Sequence, residues 1–178
     1  MKAKNKMNVF IVEDNELFAL ALKSDIENAF EKKAIQIHAF ATGEKCMEKI
    51  LVEKPQVVIL DYNLNSKDAN AANGIKVLDW IKKAYPETNV IMLTSEDHID
   101  IAVKSFLHGA SDYVVKTETK FKKINYSLSN LFKMMEAKED ARMYKYLVVG
   151  LIAGFTLLIG GVIVTQLFYP SFFRMESQ

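Results

Sequence analysis

Four short apolar runs in this chain end on residues able to do chemistry. Asn8-Val9-Phe10-Ile11-Val12 leads into Glu13 and Asp14, and Gln56-Val57-Val58-Ile59-Leu60 leads into Asp61. Asn89-Val90-Ile91-Met92-Leu93 leads into Thr94, and Asp112-Tyr113-Val114-Val115 leads into Lys116. Brought to one rim, three carboxylates would repel strongly without a cation. Magnesium takes hard oxygen ligands and keeps several waters. It suits Glu13, Asp14 and Asp61, with the backbone carbonyl of Asn63 within reach. A lysine is a compact point charge that pairs with a phosphate oxygen, and Thr94 has a hydroxyl hydrogen to donate. Aspartate forms aspartyl phosphates as a nucleophile, and a divalent cation neutralises charge on a transferring group. These residue types together describe a phosphoryl-acceptor site centred on Asp61. Read singly, an Asp behind a strand is a turn former or a helix cap.

Each of these runs is too short for a helix and most are rich in β-branched residues, so they read as strands buried on both faces. In open α/β sheets the chemistry lies at the carboxyl ends of the strands. Between the runs the period changes to that of helices. A helix is expected from about Glu16 to Phe30, with Leu17, Leu20, Ala21, Ser24 and Phe30 on one face. Residues Ile35 to Phe40 alternate as a further strand, and Thr42 caps a helix carrying Cys46, Met47, Ile50 and Leu51. The stretch from Asn65 to Gly74 is polar and small, a loop, and the helix after it stops at Tyr85-Pro86. A helix from about Asp97 to Leu107 stops at Gly109. Strand and helix alternate five times, which predicts a doubly wound parallel sheet.

After Lys116 no Gly or Pro occurs until Gly150, so one long helix is expected from Glu118. Phe121, Ile124, Leu128, Leu131 and Met135 step by three and four, and the stripe fails where Lys138 and Arg142 fall in register. The first part is expected to pack on the sheet. Residues 147–168 are 22 positions without a charge. As a helix they span roughly 33 Å, against a hydrocarbon core of about 30 Å. The expected layout is an α/β domain over 7–130, a helical linker over 131–146, a transmembrane helix over 147–169 and a short tail over 170–178. Lys133, Lys138, Arg142 and Lys145 precede the span and only Arg174 follows it. The positive-inside rule then predicts a single-pass, tail-anchored chain in the cell membrane with its α/β domain in the cytoplasm. Gly150 and Gly154 form a GxxxG pair, which leaves a homodimer through the span open.

The bulk numbers exclude other classes. A net charge of +1 argues against a general nucleic-acid binder. The lone cysteine, Cys46, can form no internal disulfide, and the three histidines lack metal-ligand spacing. No GxGxxG follows the first strand, which argues against dinucleotide binding.

The runs ending in Glu13-Asp14, Asp61 and Thr94-Ser95, with Gly109-Ala110-Ser111-Asp112-Tyr113-Val114-Val115-Lys116, make residues 7–130 resemble the receiver domain of two-component response regulators. The resemblance implies a flavodoxin-like sheet ordered 2-1-3-4-5, so that strands 1, 3, 4 and 5 share one rim. It implies that Asp61 accepts a phosphoryl group from a histidine kinase or phosphotransfer protein. Glu13 and Asp14 would hold Mg2+ with Asp61, and Lys116 would contact the phosphoryl group. Thr94 and Tyr113 would act as switch residues, Thr94 moving toward the site and Tyr113 swinging inward. Two departures stand out. Thr117 follows Lys116 where the family usually has Pro, and the loop over 65–73 is long, with Asn65 in place of another Pro. The resulting expectation is a membrane-tethered single-domain regulator without DNA binding, signalling through protein contacts rather than turning over a substrate. A receiver-fold adaptor that is never phosphorylated is the alternative. A phosphohydrolase of the haloacid dehalogenase type is disfavoured, because the place of its second Asp is taken by Asn63, which cannot donate a proton as a carboxylic acid does.

Overall fold

The computed structural model describes residues 6–64, 72–95 and 98–168. The chain divides into two compact units, Met1–Leu131 and Phe132–Gln178. In the first, strands and helices alternate: β1 (Met7–Val12), α1 (Glu16–Ala29), β2 (Ile35–Phe40), α2 (Gly43–Glu53), β3 (Val57–Asp61), α3 (Gly74–Ala84), β4 (Asn89–Thr94), α4 (Ile99–Leu107) and β5 (Asp112–Val115). A last helix, α5 (Lys120–Phe168), begins in this unit. All strand pairs are parallel and the order is β2-β1-β3-β4-β5, as the resemblance implied.

The strands are buried on both faces because helices cover both. Successive side chains along a strand point to opposite faces. Phe10 and Val12, Val58 and Leu60, and Val90 and Met92 join one buried cluster with Cys46 and Ile50 of α2 and Val77, Leu78 and Ile81 of α3. Residues of the other parity, such as Ile11, Ile59 and Ile91, are equally buried. On that side α1 buries Ala19, Leu22 and Ile26, and α5 buries Ile124 and Leu128. The two helices are tied together by Asn125, whose Nδ2 donates to Asp25 Oδ2 at 2.7 Å.

The buried stripe of α1 differs from the expected one. Leu17 and Leu20 are 81% and 66% exposed. The helix's phase is set by its entry from β1, where Asn15 Oδ1 accepts the Phe18 N–H at 3.1 Å. From that start the residues three and seven places after Ala19 turn inward, and the small Ala19 allows close approach to the sheet. The helix before β4 ends before Pro86 as expected, and Gly109 takes a φ of +93° just past the end of α4. The start expected for α4 at Asp97 lies outside the described residues.

One glycine matters to the site. A Cβ on Gly74 would run into the Asp61 carbonyl oxygen and Tyr62 Cα, so the first turn of α3 presses on the end of β3. The Gly74 N–H donates to the Tyr62 carbonyl at 2.9 Å. The ends of the long connection are thereby joined, although residues 65–71 lie outside the described ones.

In the second unit α5 stays helical to Phe168. It is long and apolar enough to cross a membrane: its most apolar 18-residue window has a mean hydropathy of 2.7, and none of that window is buried. Tyr169 and the rest of the tail lie outside the described residues.

Candidate phosphoryl-acceptor site

Strand register decides which side chains meet. Ile11 pairs with Ile59 and Asp61 pairs with Leu93, which pairs in turn with Val114. Glu13 lies two residues beyond Ile11, as Asp61 lies two beyond Ile59, and Lys116 lies two beyond Val114. The parity therefore turns Glu13, Asp61 and Lys116 toward the same face of the rim. Thr94 is one residue out of this parity. It is fully buried at the end of β4, and its carbonyl accepts the Lys116 N–H at 2.7 Å.

Glu13, Asp14 and Asp61 are all buried, and each brings a carboxylate oxygen within 4.8 Å of the others. The Lys116 ammonium bridges two of them, at 2.7 Å from Glu13 Oε2 and 3.0 Å from Asp61 Oδ2. Asp61 Oδ1 is buried and has no hydrogen-bond partner among the described residues. Glu13 Oε1 accepts the Asn15 N–H at 3.4 Å, a long bond. Burial first, and the Asp61 carboxylate second, push the Glu13 carboxyl up to about 7; Lys116 and the Asn15 N–H oppose them. Three hard oxygen donors with an orphaned buried oxygen among them form a donor set that fits magnesium. Asn63 lies two residues past Asp61, half-buried. Tyr113 is half-buried on β5, paired with Met92 and packed against the buried cluster.

Sequence reasoning missed one residue at this rim. Phe18, in the first turn of α1, lies under the Lys116 ammonium, which is 4.8 Å from its ring centroid. It also meets Phe121 of α5 at 5.6 Å between ring centroids. The available signal was positional: a helix that starts directly behind the acid pair must set its first turn beside the site.

The raised Glu13 carboxyl gives a pH prediction. Between its ordinary value of 4.5 and about 7 the folded chain holds a proton that the unfolded chain releases. Stability from this group is therefore full below the ordinary value and is lost as pH rises through 7. A cation among the carboxylates opposes that loss. Thermal unfolding scans with and without magnesium should show a midpoint gap that is small near about pH 5.5 and widens toward about pH 8. An equal gap at both would mean that Glu13 takes no part in holding the ion.

Comparison with known proteins places the fold in a family. The family model described as the response regulator receiver domain matches residues 9–125. The transcriptional regulator NtrC of Proteus hauseri is 28% identical over 111 residues, 62% of this chain and 22% of its own length. The heme response regulator HssR of Staphylococcus epidermidis is 28% identical over 110 residues, 62% of this chain and 45% of its own. The chain thus spans less than half the length of these relatives. Among solved structures, the signal receiver domain of a Luxo repressor from Vibrio parahaemolyticus superposes with a TM-score of 0.65 at 27% identity, covering 75% of this chain and 95% of that one. A receiver domain protein from Methanospirillum hungatei shares the fold, with a TM-score of 0.61 at 22% identity over 75% of this chain and 99% of its own. With the family model matching well over half of its length, this chain belongs to the response regulator receiver family.

Proposed function

We propose that this protein is a membrane-tethered phosphoacceptor whose Asp61 takes a phosphoryl group from a histidine kinase or phosphotransfer protein. One observation carries the reading. Asp61 has a buried oxygen, Oδ1, without a hydrogen-bond partner among the described residues, while its Oδ2 is held by Lys116. An unsatisfied buried acceptor is costly, and here it sits on the carboxylate at the end of β3. In the transfer a carboxylate oxygen of Asp61 bonds to phosphorus and the phosphorus–nitrogen bond of a phosphohistidine breaks, its electron pair staying on the imidazole. Magnesium, held by Glu13, Asp14 and Asp61 with the Asn63 carbonyl, would supply charge neutralisation at the transferring group. Lys116 pairs with a phosphoryl oxygen, Thr94 closes on it by a hydroxyl hydrogen bond, and Tyr113 follows inward, changing the partner surface. Intact-mass measurement after incubation with a small-molecule phosphodonor and magnesium tests this. A gain of one phosphoryl group is the expected result. No gain in any donor would leave the adaptor role.

The tether rests on the apolar, unburied window of α5. Residues 147–169 serve as the span and 131–146 as the linker, with the receiver (7–130) on the cytoplasmic side. A charge at mid-span costs about 2.5–3.5 kcal/mol on insertion scales. Leu157→Arg combined with Leu158→Arg should move the protein from the carbonate-resistant membrane pellet to the supernatant. Wild-type protein released by carbonate alone would overturn the tether.

A further inference from the structure

We infer that Phe18 is a positioning residue for the phosphoryl-transfer site, holding the Lys116 ammonium at the rim through a cation–π contact. The inference rests on the function proposed above and adds to it a residue outside the acid, hydroxyl and lysine set. The ammonium of Lys116 ends a flexible stem with four rotatable bonds, and it reaches from beyond β5 past β4 to Asp61 and Glu13. The polypeptide turns away directly after it, the Thr117 N–H donating to the Val115 carbonyl at 2.8 Å. Two of the ammonium's contacts are the Glu13 and Asp61 carboxylates. Those same carboxylates are the proposed magnesium ligands and phosphoryl acceptor, so their charge is drawn on whenever the site works. The contact with the Phe18 ring, 4.8 Å to the centroid, does not draw on that charge. Its distance is inside the roughly 6 Å limit for such contacts.

The ring is itself fixed. The Phe18 backbone N–H donates to Asn15 Oδ1, and the ring centroid lies 5.6 Å from that of Phe121 in a tilted pair. The Lys120 ammonium lies 5.8 Å from the same ring and 5.5 Å from that of Phe121. Phe18 is half-buried. An ordinary packing role predicts that any apolar side chain of similar volume will do. The positioning role requires a π face.

The test uses the full chain in lipid nanodiscs, as wild type, Phe18→Leu and Phe18→Tyr. Without magnesium or donor, selective 13C labelling of lysine reads the ring-current shift of the Lys116 ε-methylene, assigned by its loss in Lys116→Arg. That shift should be present in wild type and Phe18→Tyr and lost in Phe18→Leu. With magnesium and phosphoramidate as donor, Phe18→Leu should take up the phosphoryl group about fivefold more slowly, and Phe18→Tyr at close to the wild-type rate. Equal rates in wild type and Phe18→Leu, or equal slowing in both variants, would overturn the inference. A wild-type chain that takes up no phosphoryl group shows instead that the proposed function has failed, and the transfer role of Phe18 falls with it.

Discussion

Asp61→Asn should gain no phosphoryl mass under conditions in which the wild-type chain gains one group. The amide is not a nucleophile, and the substitution keeps the shape of the side chain, so the fold around β3 is preserved. The variant also reads the electrostatics of the rim. The Asp61 carboxylate is the second cause, after burial, of the raised Glu13 carboxyl. Removing it should bring Glu13 back toward the ordinary range, visible as a weaker dependence of magnesium-free stability on pH between about 5 and 7. Equal phosphoryl uptake by Asp61→Asn would place the acceptor on another residue. A silent wild-type chain would favour the adaptor reading, in which the receiver fold serves contact alone.

Lys116→Met should cost the most stability of any single change at the site, and its effect should depend on pH and magnesium. The lysine side chain is 13% exposed and bridges two carboxylates exposed by only 2% and 4%. Removing one partner of a buried ion pair typically costs about 3–5 kcal/mol, because the other charge is left uncompensated. Lys116 is also what holds the Glu13 carboxyl down against burial and Asp61. Without it that carboxyl rises further, so part of the cost is avoided by protonation at lower pH. Chemical denaturation should therefore show a large loss near about pH 8 in the absence of magnesium, a smaller one near about pH 6, and partial recovery with the ion. Phosphoryl uptake should fall on the order of a hundredfold, the scale for losing one pre-placed electrostatic donor. A pH-independent loss would mean that the lysine acts through packing alone.

Much of this protein was legible from its sequence because its determinants are local. Apolar runs of strand length, helix caps at Thr42, the break at Pro86 and the glycine at 109 report on the backbone nearest them, and they define the alternation of strand and helix. The carboxyl ends of parallel strands lie on one side of a sheet, and the strand order implied by the receiver resemblance put Glu13, Asp14, Asp61 and Lys116 at one rim. The apolar stretch after Leu147 is equally local, since length and lack of charge are properties of the chain itself.

Tertiary structure decided what depends on phase and register. Leu17 and Leu20 have helical spacing, yet the entry of α1 from the acid pair turns Ala19, Leu22 and Ile26 inward instead. Amphipathic period alone does not choose between two offset stripes; the attachment of the helix to its strand does. Register across β1, β3, β4 and β5 put Glu13, Asp61 and Lys116 on one parity and left Thr94 one residue out of it. Gly74 reads in sequence as a loop glycine, but its lack of a side chain is what lets α3 press against the backbone of Asp61. Phe18 lies 98 positions from Lys116 in the chain, and no spacing rule joins them. Only the packing of α1 and α5 on the same face of the sheet brings an aromatic ring beneath that ammonium.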